Sequence, residues 1–171
     1  MKAKNDLSID VLHENFVLRD GKVFWKVGRH KRRLDRPAGT LHPKGYWQIF
    51  LRIDGIDYRL YSHRIVYAMC NGVWPPEETD HKNEIKWDNS PSNLRVATHS
   101  ENKLNRGKQR NNTSGLKWVK RNKAGRKNPW RAAVRKHGTV YEKTGFITKE
   151  EAFSWASNVA QQLHGEFYNS G

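Results

Sequence analysis

The chain has one cysteine, Cys70, in 171 residues. A single thiol excludes an internal disulfide and any zinc site built on several cysteines, and its neighbours Val66 and Met69 mark it as a buried thiol. Carboxylates are also scarce. Asp and Glu number 17 against 32 Lys and Arg, giving a formal charge of +15 and a pI near 10.1. Such a surface draws polyanions, and charge alone leaves nucleic acid and anionic membrane surfaces both open. Hydrophobic residues make up only 36% of the chain, below the usual share of about 45–50%. The length allows one ordinary domain or two small ones, each with a limited core. No apolar run approaches the roughly 20 residues that span a bilayer, and the opening Met-Lys-Ala-Lys-Asn-Asp lacks a signal-peptide hydrophobic core. The expectation is a protein of a reducing compartment with no membrane association.

What is plentiful is aromatic and polar. Aromatics reach 11%, with seven Trp, which favours specific contacts over a merely basic tail, although most of these rings are expected in a core. The densest set of chemically useful side chains lies at residues 79–105. Asp80 and His81 are adjacent at the end of a predicted strand, a polar turn-rich loop covers residues 82–92, and residues 93–97 (Asn-Leu-Arg-Val-Ala) read as a short second strand. Thr98-x-x-Glu101 then matches a capping box, in which hydroxyl and carboxylate satisfy each other's orphan backbone donors. Asn102 follows one turn inside the helix.

Strand, loop, strand and helix form a compact unit that can set Asp80 and Asn102 on either side of a small cavity, with His81 beside them. A carboxylate and an amide oxygen are hard ligands suited to Mg²⁺ or Mn²⁺, and imidazole can deprotonate water near neutral pH. Cation plus general base is the equipment for hydrolysing a phosphodiester. Each element alone is weak, since Asp-His pairs arise by chance and Asn-rich loops are usually turns. Their order together carries the reading.

Asp-His, Asn-Leu-Arg and Thr-x-x-Glu-Asn in this order resemble the ββα-metal motif of the HNH endonucleases, in its phage and intron-homing form. The resemblance implies His81 as general base, Asp80 and Asn102 as ligands of one divalent cation, Mg²⁺ or Mn²⁺, and Asn93 as the residue whose side chain fastens the loop near His81. Many family members carry His where this chain has Asn102. Many also carry paired Cys-x-x-Cys zinc ligands, which are absent here, so no structural zinc is expected.

Upstream, residues 1–14 read as a polar, irregular tail. Phe16-Val17-Leu18 and Val23-Phe24-Trp25 flank Asp20-Gly21, the signature of a tight hairpin. Arg29-His30-Lys31-Arg32-Arg33 follows as a basic loop, either a phosphate clamp or a solvated charge run. Residues 46–53 alternate Ile49, Leu51 and Ile53 against Gln48, Phe50 and Arg52, and Asp54-Gly55 turns them into residues 56–61. The outer face offers Arg52 and Arg59, and a two-stranded ribbon is one shape that fits the DNA major groove. Homing-type HNH enzymes often carry such ribbons ahead of a helix like the one that starts here, where Ser62 is the expected cap, Ile65, Val66, Met69 and Cys70 share a face, and Gly72 ends it. His63, in the first turn, reads as a hydrogen-bonding or phosphate-contacting residue. Trp74-Pro75-Pro76 then straightens the backbone into the Asp80-His81 strand.

Residues 105–112 are basic and almost free of apolar side chains, which marks a linker between a nuclease domain over 15–104 and a second domain over 113–171. In the latter, residues 116–121, 130–136 and 139–146 read as three strands, and Thr148-x-x-Glu151 opens a helix with a second capping box. One face of such a sheet is covered and the other is free. Trp130, Ala132 and Val134 point to the helix; Arg131, Ala133 and Arg135 point outward, where guanidinium groups suit phosphate oxygens and guanine.

Leu116-x-Trp118-Val119, Trp130-Arg131-Ala132, Gly145-Phe146 and residues 163–167 (Leu-His-Gly-Glu-Phe) resemble the DNA-binding domain of plant ethylene-response factors, which occurs fused behind HNH nucleases. That resemblance implies DNA contacts from Trp118, Lys120, Arg131 and Arg135. Residues 145–148 (Gly-Phe-Ile-Thr) are one residue shorter than that family's Gly-x-Phe-x-Thr, which leaves the register at the end of the third strand open.

The expectation is an α+β protein. N-terminal β-hairpins and a ββα-metal HNH core join a small three-stranded antiparallel sheet packed on one helix. It would act on double-stranded DNA, with no obligate protein partner evident, in the cytoplasm, or in the host cytoplasm or nucleoid if phage-encoded. One such site per chain predicts a nick. A DNA-binding regulator with an inactive nuclease centre is the main rival. An RNA-directed protein fits less well, because a sheet reader suits B-form DNA better than the narrow groove of RNA.

Overall fold

Two Asp-Gly turns and one continuous strand-to-helix transition shape the first half of the chain. The computed structural model describes residues 7–28, 33–122 and 127–171. Within them it is a mixed α and β protein of small antiparallel sheets. The chain divides into two compact units, Met1–Ala97 and Thr98–Gly171.

The first unit opens with helix α1 (Ile9–Asn15), capped by the Ser8 hydroxyl, which accepts from the Val11 N–H at 3.3 Å. From Ile9 on, this helix replaces the irregular tail expected over 1–14; residues 1–6 of that tail lie outside the described residues. Leu12 is fully buried in the core with Phe16, and Ile9 and Val11 pack against that core. An i, i+3, i+7 apolar set was hidden among polar neighbours.

Strands β1 (Phe16–Arg19) and β2 (Lys22–Trp25) pair around Asp20 and Gly21, both at positive φ, as the tight hairpin requires. A three-stranded sheet follows in the order β3 (Thr40–Leu41), β4 (Trp47–Ile53), β5 (Ile56–Tyr61), with the second Asp-Gly turn between β4 and β5. Ile49, Leu51 and Leu60 face the core, while Phe50, Arg52 and Arg59 are exposed.

Helix α2 (Ser62–Asn71) leaves β5 without a loop. Its N-cap is therefore Tyr61, still extended, and not Ser62, which is the first helical residue and is buried. Ile65, Val66 and Ala68 are buried, whereas Cys70 is exposed. The expected burial of that thiol fails because the last turn of α2 runs past the core, with Asn71 and Gly72 exposed beyond it.

Strands β6 (Glu78–His81) and β7 (Leu94–Ala97) form an antiparallel pair with Asp80 opposite Arg95 and His81 opposite Leu94. The loop between them ends in a single 3₁₀ turn, Pro91–Asn93. The Arg64 guanidinium donates to the carbonyls of Glu77 at 2.7 Å and Pro75 at 3.0 Å, tying α2 to the entry of β6. The β1–β2 turn touches the loop itself. A Cβ on Gly21 would stand 2.8 Å from the Ser90 nitrogen and 3.0 Å from the Asn89 carbonyl carbon.

The second unit begins with α3 (His99–Asn105), whose start is the Thr98–Glu101 capping box. Lys117 donates to the Leu104 carbonyl at the end of α3 and to that of Asn169, and Asn169 Nδ2 donates to the Asn105 carbonyl at 2.8 Å. Within residues 105–112, Asn105 is buried, and the Asn112 side chain accepts from the Ser114 hydroxyl at 3.1 Å and the Gly115 N–H at 2.8 Å. Antiparallel strands β8 (Val119–Arg121), β9 (Trp130–Lys136) and β10 (Thr139–Phe146) form a sheet with β9 central. β8 is shorter than residues 116–121 because Trp118 sits at φ +65°, outside the strand region.

A bulge at Gly145, φ +86°, sets Phe146 opposite Trp130 and settles the register at that end. Helix α4 (Lys149–His164) starts with the Thr148–Glu151 capping box and buries Ala152, Ala156 and Ala160 against Val119, Ala132 and Val134. Among the described residues no helix is long and apolar enough to cross a membrane.

Gly21 and Gly55 occupy the same turn position with different surroundings, since a Cβ at Gly55 meets nothing within 4 Å. Gly21→Ala should cost more than about 1 kcal/mol beyond Gly55→Ala, because it adds a backbone clash to the shared left-handed strain. Urea unfolding of the two variants tests the difference.

Candidate active site

Antiparallel pairing puts Asp80 and Arg95 directly across from one another on one face of the β6–β7 ribbon. Arg95 Nε and Nη2 both donate to Asp80 Oδ2, at 2.9 and 2.8 Å, and both side chains are almost wholly buried. His81, the next residue, engages a different set. Its Nε2–H donates to the Asn89 amide oxygen at 2.9 Å, with both residues buried. An amide oxygen only accepts, so Nε2 carries a hydrogen in this contact.

The His81 ring stands 5.2 Å from that of His63, edge to face, and 6.3 Å from Tyr46. His63 in turn stacks on Tyr61 at 5.5 Å. His63 is only 7% exposed. Burial, with smaller contributions from His81 and the Arg64 charge, pushes its pKa down to about 3. The residue read as a phosphate contact is thus a neutral wall of the His81 pocket. The strand-to-helix transition at Tyr61 turns it inward.

Asn93 closes the loop. Its Oδ1 accepts from the Asn83 backbone at 3.1 Å, and its Nδ2 donates to Asn83 Oδ1 at 2.9 Å and to the Asp88 carbonyl at 2.7 Å. Donors from the Ser90 hydroxyl, the Ser90 backbone and the Asn83 amide hold the Asp88 carboxyl below its ordinary pKa. Asn102 lies in the second unit, inside α3, with its backbone N–H on the Thr98 carbonyl at 2.9 Å.

Asp80, the residue before His81, is the buried carboxylate of the β6–β7 ribbon, and Arg95 holds it. Among the described residues no cluster of three His, Cys, Asp or Glu side chains is placed to hold a metal ion. Mg²⁺ takes carboxylate oxygens as ligands, keeps several waters and completes its shell with phosphate oxygens. The hard oxygen of Asp80 fits that ion.

The residues expected to meet DNA divide between the units. In the first, Arg52 pairs with Asp57 at 3.5 Å and the Arg59 guanidinium lies over the Phe50 ring at 5.3 Å, both on the exposed face. Arg33 is paired with Asp35 at 2.6 Å, and Arg29, His30, Lys31 and Arg32 of the basic loop lie outside the described residues. In the second unit, Lys120 is paired in register with Arg131, and Arg131 donates to Glu142 at 3.0 Å. Arg135 is exposed. Trp118 is placed otherwise than the open face requires. Its ring stacks on Phe153 and Tyr168, at 6.5 and 6.1 Å, because the positive φ turns it into the cluster under α4.

Three residues of the pocket escaped the sequence. Arg95 could have been found by counting strand register back from Leu94. Asn89 is one Asn among several in a polar loop, and Tyr46 is remote in the chain, so neither left a signal.

Residues 60–104 match the family model described as HNH endonuclease, a segment that takes in His63, Asp80, His81, Asn93 and Asn102. A protein of Acanthamoeba polyphaga mimivirus, described as an uncharacterized HNH endonuclease, is 30% identical over 111 residues, or 64% of this chain and 56% of that protein. The chain therefore spans little more than half the length of the curated relative it matches. No solved structure matches.

The His63 shift has a definite sign. Below the ordinary value of 6.5 the unfolded chain takes up a proton that the folded His63 refuses until about pH 3. Stability contributed at neutral pH is therefore lost as pH falls from 6.5, at about 1.4 kcal/mol per unit. Urea unfolding at pH 7 and pH 5 should show a loss about 2 kcal/mol larger in wild type than in His63→Phe.

Proposed function

We propose that this protein is a metal-dependent DNA endonuclease of the HNH type that nicks double-stranded DNA and belongs to the homing or phage branch of that family. The observation that carries the reading is His81. It is a buried imidazole at a strand end, held through Nε2–H by Asn89 and within the segment similar to HNH endonucleases. Nδ1 of His81 takes the proton of the attacking water. Asn89 holds the ring through Nε2, and Asn93 holds the loop that carries Asn89. Asp80 is the ligand of a divalent cation, Mg²⁺ or Mn²⁺, and Asn102 enters as a second ligand through the sequence motif. When bound, such a cation would polarise the phosphate and stabilise the leaving oxygen. Lys120, Arg131 and Arg135 on the open sheet face, with Arg52 and Arg59 on the ribbon, grip the duplex. The sheet does so in the manner of the ethylene-response-factor domain it resembles.

One observation favours a second reading. The Arg95 guanidinium already neutralises Asp80, as it would in a DNA-binding regulator whose nuclease centre is vestigial.

Supercoiled plasmid with Mg²⁺ or Mn²⁺ separates the two. Wild type should convert it to open circle, and His81→Ala should lower the rate at least a hundredfold. Asn102→Ala belongs in the same assay as the test of the second ligand. An inactive wild type that still binds DNA would support the regulator.

Arg131→Ala combined with Arg135→Ala should weaken duplex binding and lower the slope of log affinity against log salt by about one for each phosphate no longer neutralised. An unchanged slope would remove the sheet from the interface.

A further inference from the structure

The loop that positions His81 also carries a side chain its own folding does not use. Trp87 is 67% exposed, and Ile85 beside it is partly so. An indole offers roughly 150–250 Å² of surface for burial, so leaving it in water forgoes a large gain. Its backbone is nonetheless firmly set. The Glu84 N–H donates to the His81 carbonyl at 2.9 Å, Ile85 N–H to Asn83 Oδ1 at 2.9 Å, and Asp88 N–H to the Ile85 carbonyl at 3.0 Å. Asn83 Nδ2 closes the circuit on Asp88 Oδ2 at 2.8 Å.

The preceding residue is anchored as well. Lys86 donates to the Lys44 carbonyl at 3.0 Å and lies over the Tyr46 ring at 4.9 Å. Tyr46 is the ring that borders His81. Trp87 is thus an exposed aromatic plate on a rigid loop, one residue from a lysine that packs on the wall of the active pocket.

The surrounding charge names the occupant. Lys44, Lys82 and Lys86 outnumber the acidic Glu84 and Asp88 on these two loops, on a chain of net charge +15, and a polyanion with flat apolar faces is nucleic acid. We infer that Trp87 stacks on a DNA base beside the phosphate to be cut, partly unstacking the duplex there and fixing which phosphate lies at His81. The position of that phosphate rests on the nuclease reading above; the contact with a base does not. Any base has a face to offer, so the stacking carries little sequence preference. An apolar wedge of this kind opens a base step and bends the duplex.

The experiment uses the full chain labelled with 5-fluorotryptophan. The Trp87 fluorine resonance is identified by its loss in Trp87→Phe, with the other six Trp as internal references. Titration with a mixed-sequence duplex should shift the Trp87 resonance. In parallel plasmid nicking, Trp87→Ala should be about tenfold slower than wild type, and Trp87→Phe should recover most of the rate. A Trp87 resonance that stays fixed while others move, or while none move, overturns the inference. So does a Trp87→Ala variant that nicks as fast as wild type. If wild type fails to nick while the Trp87 resonance shifts, the nuclease reading falls and the base contact stands.

Discussion

The amide of Asn93 is the tie on which the pocket depends. Residues 82–92 contain little that a core could hold, and ordering each one costs about 1–2 kcal/mol of backbone entropy. Apolar burial cannot offset that cost here, so hydrogen bonds must. One side chain reaches Asn83 and Asp88 together, and Asp88 collects the donors of Ser90 and Asn83 in turn. From this knot the loop runs back past Asn89, which holds the His81 ring. The β1–β2 turn leans on the same place, with room for hydrogen and nothing larger at Gly21. A hairpin far away in sequence is thereby part of the support of His81.

The electrostatics around the ribbon are those of a site built for direction more than for stability. A buried ion pair such as Asp80–Arg95 gains little net free energy, because removing both charges from water offsets most of their attraction. Two donors on one carboxylate oxygen do fix where that carboxylate points. His63 performs a similar service without charge. Being neutral above about pH 3, it can lie against His81 without bringing a positive charge of its own.

Much of this was legible in the residues because local and tertiary preferences agree. Both Asp-Gly hairpins, both capping boxes, β9 and β10, and the strand, loop, strand and helix of residues 78–105 follow from short-range chemistry. The failures share a cause, which is packing that composition does not announce. Leu12 turns a polar stretch into a helix by finding a core. Tyr61 remains extended, so His63 faces inward where a later helix start would have left it outside. Trp118 takes a left-handed backbone and folds under α4 instead of joining the open sheet face. Asn89 and Tyr46 matter through distances that one-dimensional spacing does not encode.

The end of α2 has a practical corollary. A chain with a lone sulfhydryl, and that one on the outside, has a single handle for any thiol reagent. Dye, spin label or resin would all attach at the same known spot, well along the helix from His63. In air without reductant, two molecules could join there through their Cys70 sulfurs and then stop, since neither retains a second thiol. Oxidation would yield closed pairs and never a polymer.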